Sequence, residues 1–243
     1  MSETAAVTAL IRSASSYYRD SGRFAVHFAR NKLRYDPAYR TILAQGLLAG
    51  RARILDLGCG QGLLAAWLLA ARARHAEAGT PWPQGWSAPP ALGAYRGIDL
   101  DSREVARARN ALPSCAGIAL NLEHADIRSA DYAQADAVVI LDVLHYLSRA
   151  AQEQVLQRAH AALAPRGLLL LRIGDASGGI GHRVGRAMDQ TVALWRRGRW
   201  IELACRALTD WEELLERCGF VARAVPPGGS AGFVNVLFRA QAA

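Results

Sequence analysis

The nine residues from Ile54 to Gly62, ILDLGCGQG, constrain the fold of this chain more than any other segment. A short apolar run leads into glycines at alternate positions, and an apolar stretch that begins at Leu63 follows directly. Alternate glycines let the backbone turn tightly and let a ligand approach without an intervening Cβ. The pattern therefore predicts a buried parallel strand, a ligand-binding turn and a helix, in that order.

Further strands and helices alternate along the rest of the chain. We predict strands over residues 53–57, 95–99, 118–124, 137–141, 168–173, 220–225 and 233–238. Predicted helices cover residues 63–74, 102–111, 149–163 and 210–218, with Ser102 as the cap of the second. Pro226-Pro-Gly-Gly, between the last two strands, is typical of a hairpin. This order predicts an α/β fold: a doubly wound, mostly parallel seven-stranded sheet with an antiparallel C-terminal hairpin.

Composition divides the chain into a helical N-terminal part and a larger α/β part. Apolar residues at helical spacing predict an N-terminal helical cap over residues 1–50, and residues 51–243 form the main domain. Four prolines and two tryptophans between residues 75 and 94 indicate a surface insert. Residues 176–206, after the fifth strand, are predicted to be a lid segment.

Two segments carry the whole net charge of +8. Residues 1–50 hold seven basic and three acidic groups, residues 182–206 hold six and two, and the remainder balances. This segregation indicates an anionic partner. Nucleic acid is disfavoured as that partner, because the basic segments lack the interleaved aromatic residues that stack on single-stranded bases.

The sequence predicts a cytoplasmic protein with no membrane span and no metal site. Its longest apolar run, Leu63 to Ala71, has nine residues, whereas about 18–20 are needed to cross a bilayer. The N-terminus has no charged leader or cleavage signature. The four cysteines form no CxxC pair, which favours neither a zinc site nor a disulfide framework. The oligomeric state stays open.

The spacing within the turn selects the class of ligand. A dinucleotide site reads GxGxxG, with pyrophosphate at the helix N-terminus, but here the spacing is GxGxG. Asp56, two residues before the first glycine, would repel a pyrophosphate. A cationic ligand suits this turn better.

Four segments together resemble the class I S-adenosylmethionine (SAM)-dependent methyltransferases. They are ILDLGCGQG at 54–62, Gly-Ile-Asp at 97–99, Ala-Asp-Ile at 125–127 and AVVILDVLHY at 137–146. The resemblance covers about residues 51–175. It implies the Rossmann-like methyltransferase fold and SAM as the cofactor.

The resemblance also implies roles for individual residues. The glycine turn would cradle the methionine end of SAM, with Asp56 toward its ammonium group, and Asp99 would accept bonds from the ribose hydroxyls. Asp126 would accept from the adenine amino group, while the backbone N–H of Ile127 donates to the ring. Asp101 is the alternative to Asp99. The full predicted cofactor set is Asp56, Gly58, Cys59, Gly60, Gly62, Asp99, Leu100, Asp126, Ile127, Leu141 and Asp142.

His145 and Tyr146 are the predicted catalytic residues, because they follow the carboxyl end of the fourth strand, where ligands bind in such sheets. A packing role for His145 is the alternative. Other candidates for facing the acceptor are Tyr17, Tyr18, His27, Asp175 and His182. The chain has no (D/N)PP(Y/F) tetrapeptide and no Pro-Cys pair. Their absence disfavours methylation of adenine amino groups and of pyrimidine C5.

A narrower resemblance concerns Tyr17 to Leu43 together with GQGLLAAWLLA. These stretches resemble a bacterial methyltransferase group associated with aryl-polyene or polyketide-type pathways. That resemblance implies an aromatic or acyl small-molecule acceptor, including one held by an acidic acyl carrier protein. The alternatives are an RNA methyltransferase and a SAM-binding protein without catalysis.

Overall fold

The structure is a computed structural model, and it describes residues 2–113, 117–175, 203–226 and 235–242. Their contacts divide the chain into two compact units. Unit 1 is residues 1–129 with 227–229, and unit 2 is residues 130–226 with 230–243. Of the predicted lid segment, residues 176–202 lie outside the described residues, as does the candidate His182.

Unit 1 contains five α-helices and three strands among its described residues. The helices are α1 (Glu3–Ser16), α2 (Arg23–Tyr35), α3 (Pro37–Ala44), α4 (Leu63–Ala76) and α5 (Ser102–Ala111), with a 3₁₀ turn at Arg19–Ser21. The strands are β1 (Arg53–Leu57), β2 (Ala94–Asp99) and β3 (Ala119–His124). β2 pairs in parallel with both β1 and β3. The parallel register brings the carboxyl ends of β1 and β2 to one edge, beside the glycine turn.

Short polar side chains start these helices. Ser2 and Asp36 accept bonds from backbone N–H groups of α1 and α3, respectively. Asp101, rather than the predicted Ser102, caps α5, because its carboxylate accepts from the N–H groups of Arg103 and Glu104. α4 is buried on every side from Leu63 to Ala71, which explains its continuous apolar sequence.

The predicted surface insert packs against the N-terminal helices. Trp86 Nε1 donates to the Glu3 carboxylate over 3.2 Å, and Ser87 N donates to the Ala44 carbonyl over 3.3 Å. The Trp82 indole donates to the Ser87 carbonyl and contacts Trp86 edge to face. These contacts hold residues 82–87 against the N-terminal helices α1 and α3.

Unit 2 contains four strands and two α-helices among its described residues. The strands are β4 (Ala135–Leu141), β5 (Leu163–Gly174), β6 (Phe220–Val225) and β7 (Asn235–Ala242), and the helices are α6 (Arg149–Ala162) and α7 (Leu208–Arg217). β5 begins five residues before its predicted start. Leu163 and Leu168 pair with Ala135 and Ala137 across a register shift, and Arg166 between them has φ of 60°. The predicted turn at Pro165 to Gly167 is thus a bulge within a strand.

Among the described residues the strand order is β3-β2-β1 in unit 1 and β4-β5-β7-β6 in unit 2. β7 runs antiparallel to both β5 and β6. The predicted α/β fold, with a mostly parallel sheet and a C-terminal antiparallel hairpin, is confirmed. Within the described ranges no helix has the length and apolar character needed to cross a membrane.

Candidate cofactor site

The glycine turn between β1 and α4 depends on left-handed backbone conformations. Gly58, Gly60 and Gly62 have φ angles of 83°, 53° and 74°, which residues with a Cβ rarely adopt. The N–H groups of Gly58 and Cys59 both donate to the Ile98 carbonyl, over 2.7 and 3.1 Å. A Cβ on Gly60 would have no atom within 4 Å. At Gly60 the turn therefore presents bare backbone to open space, where a ligand can approach.

Cys59 packs beneath this turn. A Cβ on Gly97 of β2 would lie 2.8 Å from Cys59 Sγ, so the glycine of the Gly-Ile-Asp segment makes room for the thiol. Burial raises the pKa of the Cys59 thiol well above its ordinary value, and the nearby Asp56 and Asp99 raise it further. The thiol is therefore neutral, which makes Cys59 a packing residue of the turn and not a nucleophile.

Asp99 joins the turn to the start of α5. Its Oδ2 accepts the Gly60 N–H and its Oδ1 accepts the Asp101 N–H, each over 2.8 Å. An ionised carboxylate offers about four lone-pair sites, so each oxygen keeps one for a further donor. The carboxylate is thus oriented by the backbone and still able to accept the two hydroxyls of a ribose. The residues present fit the nucleoside part of SAM.

Asp99→Asn is expected to weaken SAM binding by on the order of 1.5–3 kcal/mol, which corresponds to roughly 10- to 150-fold in Kd. The amide keeps the size of the side chain, but its NH₂ group must face either the Gly60 or the Asp101 N–H. Calorimetric titration with SAM measures the change.

Asp101→Asn is the matched control, because asparagine also caps helices well and Asp101 already caps α5. Its SAM affinity should stay near that of the wild type. If Asp101→Asn lost affinity for SAM and Asp99→Asn did not, the ribose contact would be assigned to Asp101.

Asp56 lies within β1 and is 4% exposed. The Tyr95 hydroxyl on β2 donates to its Oδ2. Desolvation raises the pKa of Asp56 to about 7; the Tyr95 bond opposes this rise, and the charge of Asp99 adds to it. Tyr95 escaped the sequence analysis, although the register that pairs Asp56 with Gly97 places both side chains on one face of the sheet.

The Ala-Asp-Ile turn follows β3 and lies beside Asp99, whose carbonyl accepts the Ala125 N–H over 3.1 Å. The Asp126 carboxylate receives the backbone N–H of Arg128 and two nitrogens of its guanidinium, at 2.5–3.0 Å. Ile127 is buried, whereas Leu100 is 48% exposed. The structure thus brings the second and third motifs together, with Arg128 as an unpredicted partner of Asp126.

Asp126→Asn is expected to weaken SAM binding by less than about fivefold, corresponding to under 1 kcal/mol. The carboxylate is occupied by a solvent-exposed arginine, and the predicted contact of Ile127 with adenine uses the backbone. The same titration tests this ranking. An effect as large as that of Asp99→Asn would make Asp126 a principal contact.

In unit 2, Asp142 follows Leu141 at the carboxyl end of β4 and has a positive φ of 58°. Its Oδ2 lies 3.1 Å from Nη1 of Arg172, a side chain only 4% exposed, and its Oδ1 accepts a bond from Asn235 Nδ2 over 2.9 Å. Neither partner is evident from the sequence. These contacts fix the direction of a carboxylate in an unusual backbone conformation.

His145 and Tyr146 form a single 3₁₀ turn after β4. Their ring centroids are 4.2 Å apart, and His145 is 7% exposed. The His145 carbonyl accepts the Ala204 N–H. Gln152, fully buried on α6, donates to the carbonyls of Leu144 and Ala204. Gln152 therefore positions the turn that carries both candidate catalytic residues.

The remaining sequence candidates occupy different surroundings. Tyr18 is fully buried, and its hydroxyl donates to the Gln61 carbonyl over 2.8 Å, which ties the N-terminal part to the glycine turn. Burial raises the pKa of Tyr18 far above its ordinary value. His27 is exposed, Tyr17 is half-buried, and Asp175 forms an isolated bridge with Arg206. The described residues contain no cluster of three or more metal-ligating side chains.

Comparison with known proteins shows which proteins the chain resembles. Residues 55–169 match the family described as "Methyltransferase domain". A carboxy-S-adenosyl-L-methionine synthase from Chromohalobacter salexigens is 33% identical over 142 residues, which cover 56% of this chain and 47% of the synthase. The chain therefore spans about half the length of this curated relative.

Solved structures share the fold at low sequence identity. Magnesium protoporphyrin IX methyltransferase from Synechocystis PCC 6803, with bound SAH, has a TM-score of 0.57 and 17% identity over 91% of this chain and 89% of its own. Human N-acetylserotonin methyltransferase, in complex with SAM, has a TM-score of 0.59 and 17% identity. The match covers 96% of this chain and 58% of the human protein. Residues 55–169 are thus similar to the methyltransferase domain family, and the chain shares its fold with these two methyltransferases.

Proposed function

We propose that the chain is an enzyme that binds SAM at the glycine turn and transfers its methyl group to a small-molecule acceptor. The observation that carries this proposal is the pairing of Gly60 and Asp99. The first offers open backbone, and the second is a carboxylate already oriented by two N–H groups. When bound, SAM supplies an electrophilic methyl group on a sulfonium centre.

Each proposed cofactor residue contacts a different part of SAM or shapes the turn that holds it. Gly58, Cys59, Gly60 and Gly62 shape the turn for the methionine end. Asp56, whose pKa burial raises to about 7, attracts the ammonium group in its ionised form. Asp99 accepts the ribose hydroxyls, with Leu100 beside it. Asp126 and the Ile127 N–H contact adenine, while Leu141 and Asp142 are further contacts on the basis of their motif.

His145 and Tyr146 are proposed to serve the acceptor. Methyl transfer is an in-line displacement, so positioning contributes much of the rate, and an oxygen nucleophile also loses a proton to a base. The imidazole of His145 is the proposed proton acceptor. The ring packs against Tyr146, and Gln152 holds the backbone of the turn through the Leu144 carbonyl.

The proposed acceptor is an aromatic or acyl biosynthetic intermediate, carried free or on an acidic carrier protein. The excess positive charge of residues 1–50 supports an acidic partner. Structural neighbours include the pyocyanin biosynthetic protein PhzM and mitomycin 7-O-methyltransferase, whose names refer to small molecules. Nucleic acid is not proposed.

Incubation with methyl-labelled SAM and cell extract, followed by mass identification of the product, tests the proposal. Release of S-adenosylhomocysteine together with a labelled small molecule supports it. Labelled RNA, with binding that falls steeply as salt rises, would indicate the RNA methyltransferase alternative. SAM binding without turnover on any acceptor would leave a non-catalytic binding protein.

Modification of SAM itself is a second candidate, favoured by the 33% identity to a carboxy-S-adenosyl-L-methionine synthase over 142 residues. The same assay separates the two reactions. Methyl transfer consumes SAM and yields S-adenosylhomocysteine, whereas modification yields a heavier SAM derivative that still holds the labelled carbon.

A further inference from the structure

A groove of about 280 Å³ lies between α1 and α2 in unit 1. Three arginines line it, Arg12 from α1 and Arg30 and Arg34 from α2, together with Thr8 and Ile11. Arg30 and Arg34 stand four residues apart, so their side chains leave α2 on the same side. Among the described residues, no carboxylate lines the groove.

The acidic groups of α1 and of the α2–α3 junction are engaged elsewhere. Glu3 pairs with Arg40, and Asp36 pairs with Lys32 over 2.8 Å. Arg12, Arg30 and Arg34 make no ion pair with any residue in the described ranges. Like charges four residues apart destabilise a helix. The three arginines are exposed, and they concentrate positive charge that a bound anion would offset.

The shape and donors of the groove indicate the class of anion. Thr8 Oγ1 donates to the Thr4 carbonyl, so the arginine guanidinium groups are the remaining side-chain donors of the groove. That of Arg34 also lies 5.5 Å from the centroid of the Tyr35 ring. Guanidinium groups match phosphate oxygens in a bidentate geometry, and three positive charges suit a phosphate dianion better than a carboxylate. The volume lies below the roughly 300–1,000 Å³ of drug-sized sites, which fits a head group and not a whole large ligand.

We propose that Arg12, Arg30 and Arg34 form a binding site for the phosphoryl group of an organic phosphate. The site uses none of the proposed cofactor residues, and its occupation does not depend on methyl transfer. The segregated charge of residues 1–50 indicates an anionic partner of unspecified kind. The groove specifies that partner as a phosphate monoester.

Titration with phenyl phosphate and with benzoate, which share a ring but differ in the anionic group, tests the proposal without SAM. We expect phenyl phosphate to bind about tenfold more tightly than benzoate to the wild-type chain. In the double variant Arg30→Gln/Arg34→Gln, phenyl phosphate should bind at least about tenfold more weakly. Thermal unfolding of each variant verifies that the fold is retained.

Arg23→Gln is the matched control, because Arg23 is exposed on the same helix but lies outside the groove. Its affinity for phenyl phosphate should equal that of the wild type. Equal losses in the control and the double variant, equal affinities for the two probes, or no binding of either would overturn the proposal.

Vesicles of phosphatidylglycerol address a membrane surface as the alternative, since Phe24 and Tyr35 on α2 are 63% and 62% exposed. Vesicle binding that is lost in Phe24→Ser but kept in the arginine double variant would overturn the groove proposal. Phenyl phosphate binding that is unchanged in Phe24→Ser supports it.

Discussion

The free energy of unfolding is expected to fall by on the order of 4 kcal/mol as the pH rises from about 4 to about 7. Burial raises the pKa of Asp56 from 3.8 in the unfolded chain to about 7 in the folded one. Below pH 3.8 the carboxyl is protonated in both states, and the stabilisation is fully present. Above about 7 it is ionised in both states, and the stabilisation is lost.

Asp56→Asn isolates this contribution, because the amide does not titrate and its oxygen can still accept the Tyr95 hydroxyl. Urea denaturation at pH 4.5 and 7.5 measures the free energy of unfolding of both proteins. The variant should lie within about 1 kcal/mol of the wild type at pH 4.5 and exceed it by more at pH 7.5. Parallel profiles for the two proteins would show that Asp56 does not take up a proton on folding.

His145→Gln is expected to lower kcat by roughly 10²- to 10⁴-fold, the usual contribution of a general base, while the Kd for SAM stays within about twofold. The substitution removes the imidazole from the turn after β4 but leaves the backbone bond of residue 145 to Ala204 intact.

His160→Gln provides the control, since His160 contacts Phe220 and has no proposed part in the reaction. Its kcat and its Kd for SAM should both equal the wild-type values. If His145→Gln retained wild-type turnover with its unfolding midpoint unchanged, His145 would be a packing residue, as its 7% exposure also allows.

Local patterns predicted the order of the elements well but not all of their boundaries. α5 spans residues 102–111 as predicted, yet its cap is Asp101 and not Ser102. Both residue types cap helices, so composition could not choose between them. At β5, Pro165 and Gly167 favour a turn locally, whereas pairing of Leu163 with Ala135 continues the strand. Such pairing between distant segments overrides local preference.

The motifs of the candidate site could be predicted from the sequence, but most contacts between distant residues could not. The glycine turn and Asp99 each belong to a motif that the sequence analysis found. The structure joins them through the Gly60 N–H, which donates to Asp99. Arg128 was within reach of sequence analysis, because Asp side chains commonly bond the backbone two residues later. Tyr18 and Asn235 contact residues 43 and 93 positions away. No local pattern carries that information.

The two N–H groups that donate to Asp99 have a use in the laboratory. Hydrogen bonds to a charged acceptor are short and strong, and these two lie at 2.8 Å. The amide resonances of Gly60 and Asp101 in a proton–nitrogen spectrum therefore act as paired reporters of one carboxylate. Any compound that reaches Asp99 should shift both signals together, so fragments and cofactor analogues can be screened before an acceptor is known.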